Sequence, residues 1–313
     1  MKILLFRDLP AATIDLLQCQ YPEHTISQAT NVQKLGDYLP DAEIIFGNVP
    51  PPLLSQAKAL RWLQIVSSGF DEYRNMEAHG CILTTAHGLH AAALAEHVLF
   101  GMLLFARNHP LFSVQQRNRV WDRKVHTPFI LSGQTVGLIG YGEIGREVAR
   151  RCRAFGMIIN AVKLSPAVSS PPELDSLGGA EHLDRLLATS DHIVLGLPLT
   201  AQTRNFLDER RISLMKPGAC LYNVARGGLV DESALLRRLQ DRTLRGALLD
   251  VFAQEPLPAD SPFWQLENCI VTPHVAGHYD QLPSAIYRLF QDNLARFLTN
   301  RPLRNVASFS RGY

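Results

Sequence analysis

The amino-acid sequence predicts an α/β protein of two domains. Short β-branched and apolar runs alternate with helix-period patterns along most of the chain, as they do in parallel-sheet proteins. Its 313 residues exceed the length at which a single core usually stops growing. A strand pattern at 136–139 runs directly into a glycine-rich turn and then a helix pattern at 144–155, the junction of a βα unit.

Taken in order, the first portion reads as a small α/β unit. Strands are predicted at 3–6, 44–46 and 63–66 and a helix at 11–18. Pro50, Pro51 and Pro52 open a further helix, since proline is tolerated in a first turn. A long helix at 90–107 stops near Pro110. It is apolar on most faces and is therefore expected to be buried between the domains. The polar stretch 108–131, with Arg117, Arg119, Trp121 and Pro128, reads as a helix and a loop. Trp121 has three readings there: reaching a partner's active site, closing the pocket, or packing. Further strands are predicted at 136–139, 157–162, 192–195, 219–223, 246–249 and 270–271, and a last helix at 283–298. The Pro, Ser and Gly-rich segment 165–179 reads as an exposed loop.

Composition excludes several classes. Hydrophobic residues make up 46% and charged residues 19%, which suits a packed core and not a disordered chain. The net charge is +2, from 31 basic and 29 acidic side chains, so no broad basic surface for nucleic acid is expected. The basic end, with Arg296, Arg301, Arg304 and Arg311, reads as a solvated tail. Cys19, Cys81, Cys152, Cys220 and Cys269 are scattered and form no CxxC pair. Neither a disulfide framework nor a metal cluster is expected, and a reducing, cytoplasmic setting is. The apolar run at 3–6 is too short for a secretory segment, and the one at 98–106 too short for a membrane span.

The turn Gly140-Tyr141-Gly142-Glu143-Ile144-Gly145 follows the strand at 136–139. In that setting Gly140 permits a tight turn, Gly142 lets backbone approach a pyrophosphate, and Gly145 allows close packing. The helix opening at Glu143 and Ile144 offers N–H groups and a positive dipole end to the anion. A dinucleotide cofactor is the expectation. The next strand ends at Val162 and continues Lys163-Leu164-Ser165, where an acid would bond the adenosine ribose. Lys163 and Ser165 instead suit a 2′-phosphate, so NADP is preferred and NAD is the alternative.

Three later segments each put an unusual polar residue at a strand end. They are Asn223-Val224-Ala225-Arg226-Gly227-Gly228, then Asp250-Val251-Phe252-Ala253-Gln254-Glu255-Pro256, then Thr272-Pro273-His274-Val275-Ala276-Gly277. Ligands of open α/β sheets bind at such ends. A planar guanidinium suits a carboxylate and a neighbouring carbonyl, and an imidazole suits proton transfer near neutral pH. Singly, each has a packing alternative.

With Leu197-Pro198-Leu199-Thr200, Thr203-Arg204 and Ala95-Glu96-His97, the ordered set resembles the D-isomer-specific 2-hydroxyacid dehydrogenase family over nearly the whole chain. The nearest subgroup in pattern is the glyoxylate/hydroxypyruvate reductases. The resemblance implies a Rossmann-type dinucleotide domain, 101–277, inserted into a smaller flavodoxin-like α/β substrate domain, 1–100 and 278–313. It implies reduction of a small 2-oxo acid to the D-2-hydroxy acid. His274 would donate the proton, and Glu255 would orient the imidazole and favour its protonated form. Arg226 would hold the carboxylate and polarise the carbonyl. Ser68 and Gly69 would bind the substrate carboxylate through their backbone. Asp250 would stand at the nicotinamide side of the cofactor, with Leu197, Pro198, Thr203, Val224, Ala225, His274 and Gly277 lining its site.

The resemblance further implies a homodimer built through the cofactor domain. Formate dehydrogenases of the superfamily carry glutamine where Glu255 stands, so formate is not the expected substrate. The chain ends soon after its last helix, so the C-terminal regulatory domain of long phosphoglycerate dehydrogenases is not expected. His97 reads as structural and His278 as a residue of the cleft rim. Two other functions fit the motifs: a dinucleotide-sensing protein of corepressor type, and a dehydrogenase of a sugar-acid phosphate.

Overall fold

A computed structural model describes residues 1–123, 128–163 and 171–309. The chain divides into two compact units, Met1–Leu89 with Asp280–Tyr313, and His90–Tyr279.

The first unit holds β1 (Lys2–Leu5), β2 (Thr25–Gln28), β3 (Ile44–Phe46), β4 (Trp62–Gln64) and β5 (Ile82–Thr84). They form one parallel sheet in the order β2-β1-β3-β4-β5, the flavodoxin order. Ile3, Leu4, Leu5, Ile44, Ile45 and Phe46 are all buried. Strands covered on both faces read as continuous apolar runs for this reason. The prolines at 51 and 52 begin a 3-10 helix, Pro51–Gln56. The last helix, Leu282–Leu298, stacks Phe290 on Phe46 and Trp62, with ring centroids 4.4 and 5.6 Å apart. It also supplies Asn293, whose Nδ2 donates to Gln64 Oε1 (3.0 Å) while Thr84 Oγ1 donates to the same oxygen (2.8 Å). A buried polar network of this kind specifies one docking of the helix, because every alternative leaves a polar atom unpaired.

The second unit holds β6 (Thr135–Ile139), β7 (Ile158–Val162), β8 (Ser176–Gly178), β9 (His192–Leu195), β10 (Cys220–Asn223), β11 (Gly246–Leu249) and β12 (Cys269–Val271). All are parallel, in the order β12-β11-β10-β9-β6-β7-β8. The chain runs outward from β6 through β8, returns to β9 beside β6, and runs outward again through β12. That is the Rossmann order, with its switch point between β6 and β9.

The helix Ala91–Ala106 lies wholly in this unit, so the division falls at Leu89/His90 and not at the expected 100/101. The cause is packing. Gly101 lies against Leu248 and Tyr222, where a Cβ would come within 2.5 Å of Leu248. Val98, Met102 and Phe105 enter the same core as Val148 and Cys152 of the helix Glu143–Ala154.

The segment 165–179, expected as a loop, contributes β8, which pairs with β7. A three-residue edge strand half open to water carries no apolar run for a sequence pattern to register. Among the described residues no helix is long and apolar enough to cross a membrane.

Candidate active site

The glycine turn lies at the switch point. Gly140 has φ +97°, and a Cβ there would lie 2.6 Å from the Gly196 carbonyl oxygen. Only glycine makes this turn. A Cβ on Gly145 would lie 2.7 Å from the Gly140 oxygen, whereas no heavy atom stands within 4 Å of the Cβ position of Gly142. The first and third glycines thus close the turn, and the second leaves an open cradle at the start of the helix Glu143–Ala154. Open backbone at the positive end of a three-turn helix fits a dinucleotide pyrophosphate. Glu143 pairs with Arg146 at 3.1 Å, and Ile144 packs partly into the core.

Lys163 follows β7 directly, with its backbone N–H donating to the Gly178 carbonyl (3.0 Å). Ser165 lies outside the described residues. Across the switch point, β9 leads into Leu197 and Pro198. There Thr203 Oγ1 donates to the Pro198 carbonyl (2.6 Å) and accepts from Thr200 N (2.7 Å).

The Arg226 turn leaves β10 through buried Val224 and Ala225. Its shape comes from Asn223, itself buried. Asn223 Oδ1 accepts from Ala225 N (3.1 Å), and Nδ2 donates to the Arg226 carbonyl (2.9 Å). One side chain therefore bonds both limbs of the turn. Arg226 Nη1 donates to the Ala225 carbonyl at 2.7 Å. Gly227 presses onto the chain leaving β11, where a Cβ would lie 1.9 Å from the Phe252 carbonyl carbon. No other residue lets the two segments meet.

Asp250 ends β11 and is only 1% exposed. Its Oδ1 accepts from Thr272 Oγ1 (2.6 Å) and Val275 N (3.0 Å), and its Oδ2 from Ala276 N (3.0 Å). Expected at the nicotinamide side of a cofactor, Asp250 turns its carboxylate onto the loop that carries His274. Inside that loop His274 has φ +53°, the left-handed region that costs a non-glycine residue energy. Its backbone N–H is held by the carbonyls of Asp250 (2.9 Å) and Thr272 (3.1 Å).

The His274 side chain, 52% exposed, brings Nδ1 to 2.8 Å from Glu255 Oε2. The other Glu255 oxygen accepts from Phe252 N (3.0 Å). With Nδ1–H committed to the carboxylate, Nε2 is the ring nitrogen left to carry and release a proton. Arg226, Glu255 and His274 thus follow β10, β11 and β12, three adjacent strands of one parallel sheet, and their loops gather at its carboxyl edge.

His97 Nε2 lies 3.2 Å from Thr272 Oγ1. The threonine gives its one proton to Asp250, so His97 donates here. Burial holds His97 below its usual range, with the nearby Asp250 carboxylate opposing. Gly277 accepts from His90 Nδ1 at 3.1 Å.

In the first unit, Ser68 and Gly69 form the turn after β4. The Ser68 hydroxyl donates to the Ala86 carbonyl (3.2 Å) and that of Ser67 to the Gly69 carbonyl (2.9 Å). The Ser67 hydroxyl closes the turn on itself, and the Ser68 hydroxyl ties it to the segment after β5.

Sequence reasoning missed Asn223 and Thr272 as residues that shape the site. An asparagine ending an otherwise buried strand was the available signal for the first, since a buried amide must bond something. Thr272 had none, because its partner Asp250 is remote in sequence.

An open glycine turn before a helix, at the switch point of a Rossmann sheet, is the mark of a dinucleotide-binding domain. The chain belongs to the D-isomer specific 2-hydroxyacid dehydrogenase family, whose NAD binding domain is matched over residues 99–276. The family's enzymes are NAD(P)-dependent dehydrogenases, and this chain is one of them. It is 31% identical to D-3-phosphoglycerate dehydrogenase of Methanocaldococcus jannaschii over 98% of its own length and 59% of that protein's. With glyoxylate reductase of Thermococcus onnurineus the identity is 30%, over 97% of each chain. Among solved structures, a family protein of Aeromonas salmonicida superposes with a TM-score of 0.87 at 32% identity, covering 98% of this chain and 99% of the other. A family member from Xanthobacter autotrophicus in complex with NADPH and MES gives 0.85 at 27%, covering 100% and 99%.

Proposed function

We propose that this enzyme reduces a small 2-oxo acid of the glyoxylate or hydroxypyruvate type to the D-2-hydroxy acid, with NADPH preferred over NADH. The observation that carries the reading is the 2.8 Å His274–Glu255 pair on the loops beside the Arg226 turn.

A dinucleotide held here would supply the hydride. The turn Gly140–Gly145 would hold its pyrophosphate, and Val224, Ala225, Leu197, Pro198, Thr203 and Gly277 would bound its site. Arg226 takes the substrate carboxylate in its planar fork and stabilises negative charge developing on the carbonyl oxygen. His274 passes the proton on Nε2 to that oxygen, and Glu255 fixes the ring and stabilises the imidazolium before transfer. Backbone at Ser68 and Gly69 is the first unit's proposed contribution to substrate binding.

NADPH is favoured because Lys163, at the end of β7, stands where a ribose-binding acid would repel a 2′-phosphate. The similar enzyme of Xanthobacter autotrophicus is described with NADPH, and one of the relatives is a glyoxylate reductase. A second copy of the chain is the proposed partner. Support comes from the apolar side chains exposed at Phe112, Val120, Trp121 and Ile130, with Trp121 90% open. The cytoplasm is the proposed compartment, on five free thiols.

The test is NADPH oxidation over a panel of 2-oxo acids, phosphorylated sugar acids included. Turnover of glyoxylate or hydroxypyruvate at the highest kcat/KM is expected. Tight NADPH binding with no turnover of any acid would instead indicate a dinucleotide sensor, and preference for a phosphorylated acid would move the substrate class.

A further inference from the structure

Glu232 opens the helix Glu232–Gln240 that follows the Arg226 turn. Its neighbour Asp231 caps this helix, accepting from Ala234 N at 3.0 Å. Glu232 does something different. Its Oε1 reaches across to the loop after β11 and accepts from Ala253 N at 2.6 Å. One residue earlier, Phe252 N donates to Glu255 Oε1 at 3.0 Å. Two successive backbone N–H groups are therefore taken by two carboxylates, one from the helix and one from the loop's own Glu255. Gly227, on the turn before that helix, presses against the same Phe252–Ala253 backbone.

From this geometry we infer that Glu232 is a positioning residue for the proton-transfer pair, setting where the Glu255 carboxylate stands relative to His274. Without this acceptor the Phe252–Ala253 backbone loses its tie to the helix, and Phe252 N is the group that holds Glu255 Oε1. Glu255 would then shift relative to the imidazole. The charged groups on the elements that meet here are Glu232 and Asp231 at the helix start, Arg226 on the preceding turn, Glu255 on the β11 loop, and His274 on the β12 loop above the Asp250 carboxylate. Burial, with the Glu255 charge adding to it, holds the Glu232 carboxyl above its usual range, while the Ala253 N–H works the other way. A carboxyl kept next to a like charge at a cost in its own ionisation fits a role in placement.

Glu232 acts only through the proposed roles of Glu255 and His274, so the experiment tests those roles separately. Steady-state reduction of glyoxylate is measured for Glu232→Ala, Glu232→Asp, Glu232→Gln and His274→Ala, with NADPH binding followed by fluorescence as a check of the folded domain. Glu232→Ala should lower kcat by about 10- to 100-fold, the size of effect that misplacement by an ångström produces. The KM for NADPH should stay within about twofold. Glu232→Asp keeps the charge but falls one methylene short, and should lose kcat as well; it serves if the alanine variant does not fold. Glu232→Gln keeps an acceptor for Ala253 N and should restore kcat to within about threefold of wild type. The high-pH limb of the rate profile should move to lower pH in Glu232→Ala more than in Glu232→Gln. Full kcat in Glu232→Ala beside a disabled His274→Ala overturns the placement alone. Wild-type turnover in His274→Ala overturns the proton-donor reading and this inference with it.

Discussion

His274 Nδ1 and Glu255 Oε2 lie 2.8 Å apart, although the two residues follow different strands and each is held by its own loop. The Glu255 loop is pinned through Phe252 N and Ala253 N. The His274 loop is pinned through three bonds to the Asp250 carboxylate. Neither side chain is buried, so the pair owes its geometry to backbone held from beneath.

Removing the imidazole should remove the proton donor and little else. His274→Ala is expected to lower kcat for 2-oxo acid reduction by about 10²- to 10⁴-fold while NADPH still binds. Glu255→Gln should lower the rate less and pull in the high-pH limb of the profile, because an amide does not stabilise the imidazolium. Wild-type rates in both variants would remove these residues from the mechanism.

Cofactor choice should follow Lys163. Hydrogen bonds to charged groups contribute about 1.5–3 kcal/mol, so Lys163→Ala should raise the KM for NADPH roughly tenfold or more and leave that for NADH nearly unchanged. Michaelis constants for both cofactors check this, and a clear NADH preference in the wild type would sink the assignment.

Asn223 should matter to both folding and substrate binding. Asn223→Ala strands the N–H of Ala225 and leaves the Arg226 carbonyl with only its bond from Leu229 N, and an unmet buried polar group costs about 1–3 kcal/mol. A lower denaturation midpoint is expected, with a KM for the oxo acid raised more than that for the dinucleotide as the Arg226 turn loosens. Equal changes in the two KM values would count against a role in aiming Arg226.

Acid should weaken the second unit through His192. Its Nδ1 accepts from Tyr222 OH (2.9 Å) and its Nε2 donates to Gln134 Oε1 (3.0 Å), a pairing that requires the neutral ring. Burial pushes His192 down from 6.5 to about 4. Between those values the unfolded chain binds the proton and the folded one does not. Stability is thus whole above about pH 6.5 and falls as pH drops toward 4, by something on the order of 3 kcal/mol. Urea midpoints at pH 7 and pH 4.5 measure the loss. His192→Gln should be less stable at pH 7 but show a shallower decline, and an equal decline would place the acid sensitivity elsewhere.

The elements most legible in the sequence were those whose cause is local. The strand at 192–195 and the one at 246–249 are observed with the predicted bounds, since a central parallel strand is apolar on both faces. β2 and β8 lie at sheet edges and escaped notice, being short and half open. The glycine turn was legible because Gly140 and Gly145 answer steric demands from backbone close by, while Gly142 leaves the open backbone that an anion needs.

What the sequence determined by itself was the set of chemical groups and the strand end on which each stands, because residue type, periodicity and turn chemistry act over a few positions. Tertiary structure decided their partners. Asp250 turns under the His274 loop, Asn223 clasps both limbs of the Arg226 turn, and Glu232 reaches a loop it does not belong to. The Asp250 and Glu232 bonds exist because parallel register lays β10, β11 and β12 side by side and brings their carboxyl ends level, whereas the Asn223 bonds stay within its own turn. That register is set by burial across the whole sheet, which no short stretch of sequence contains.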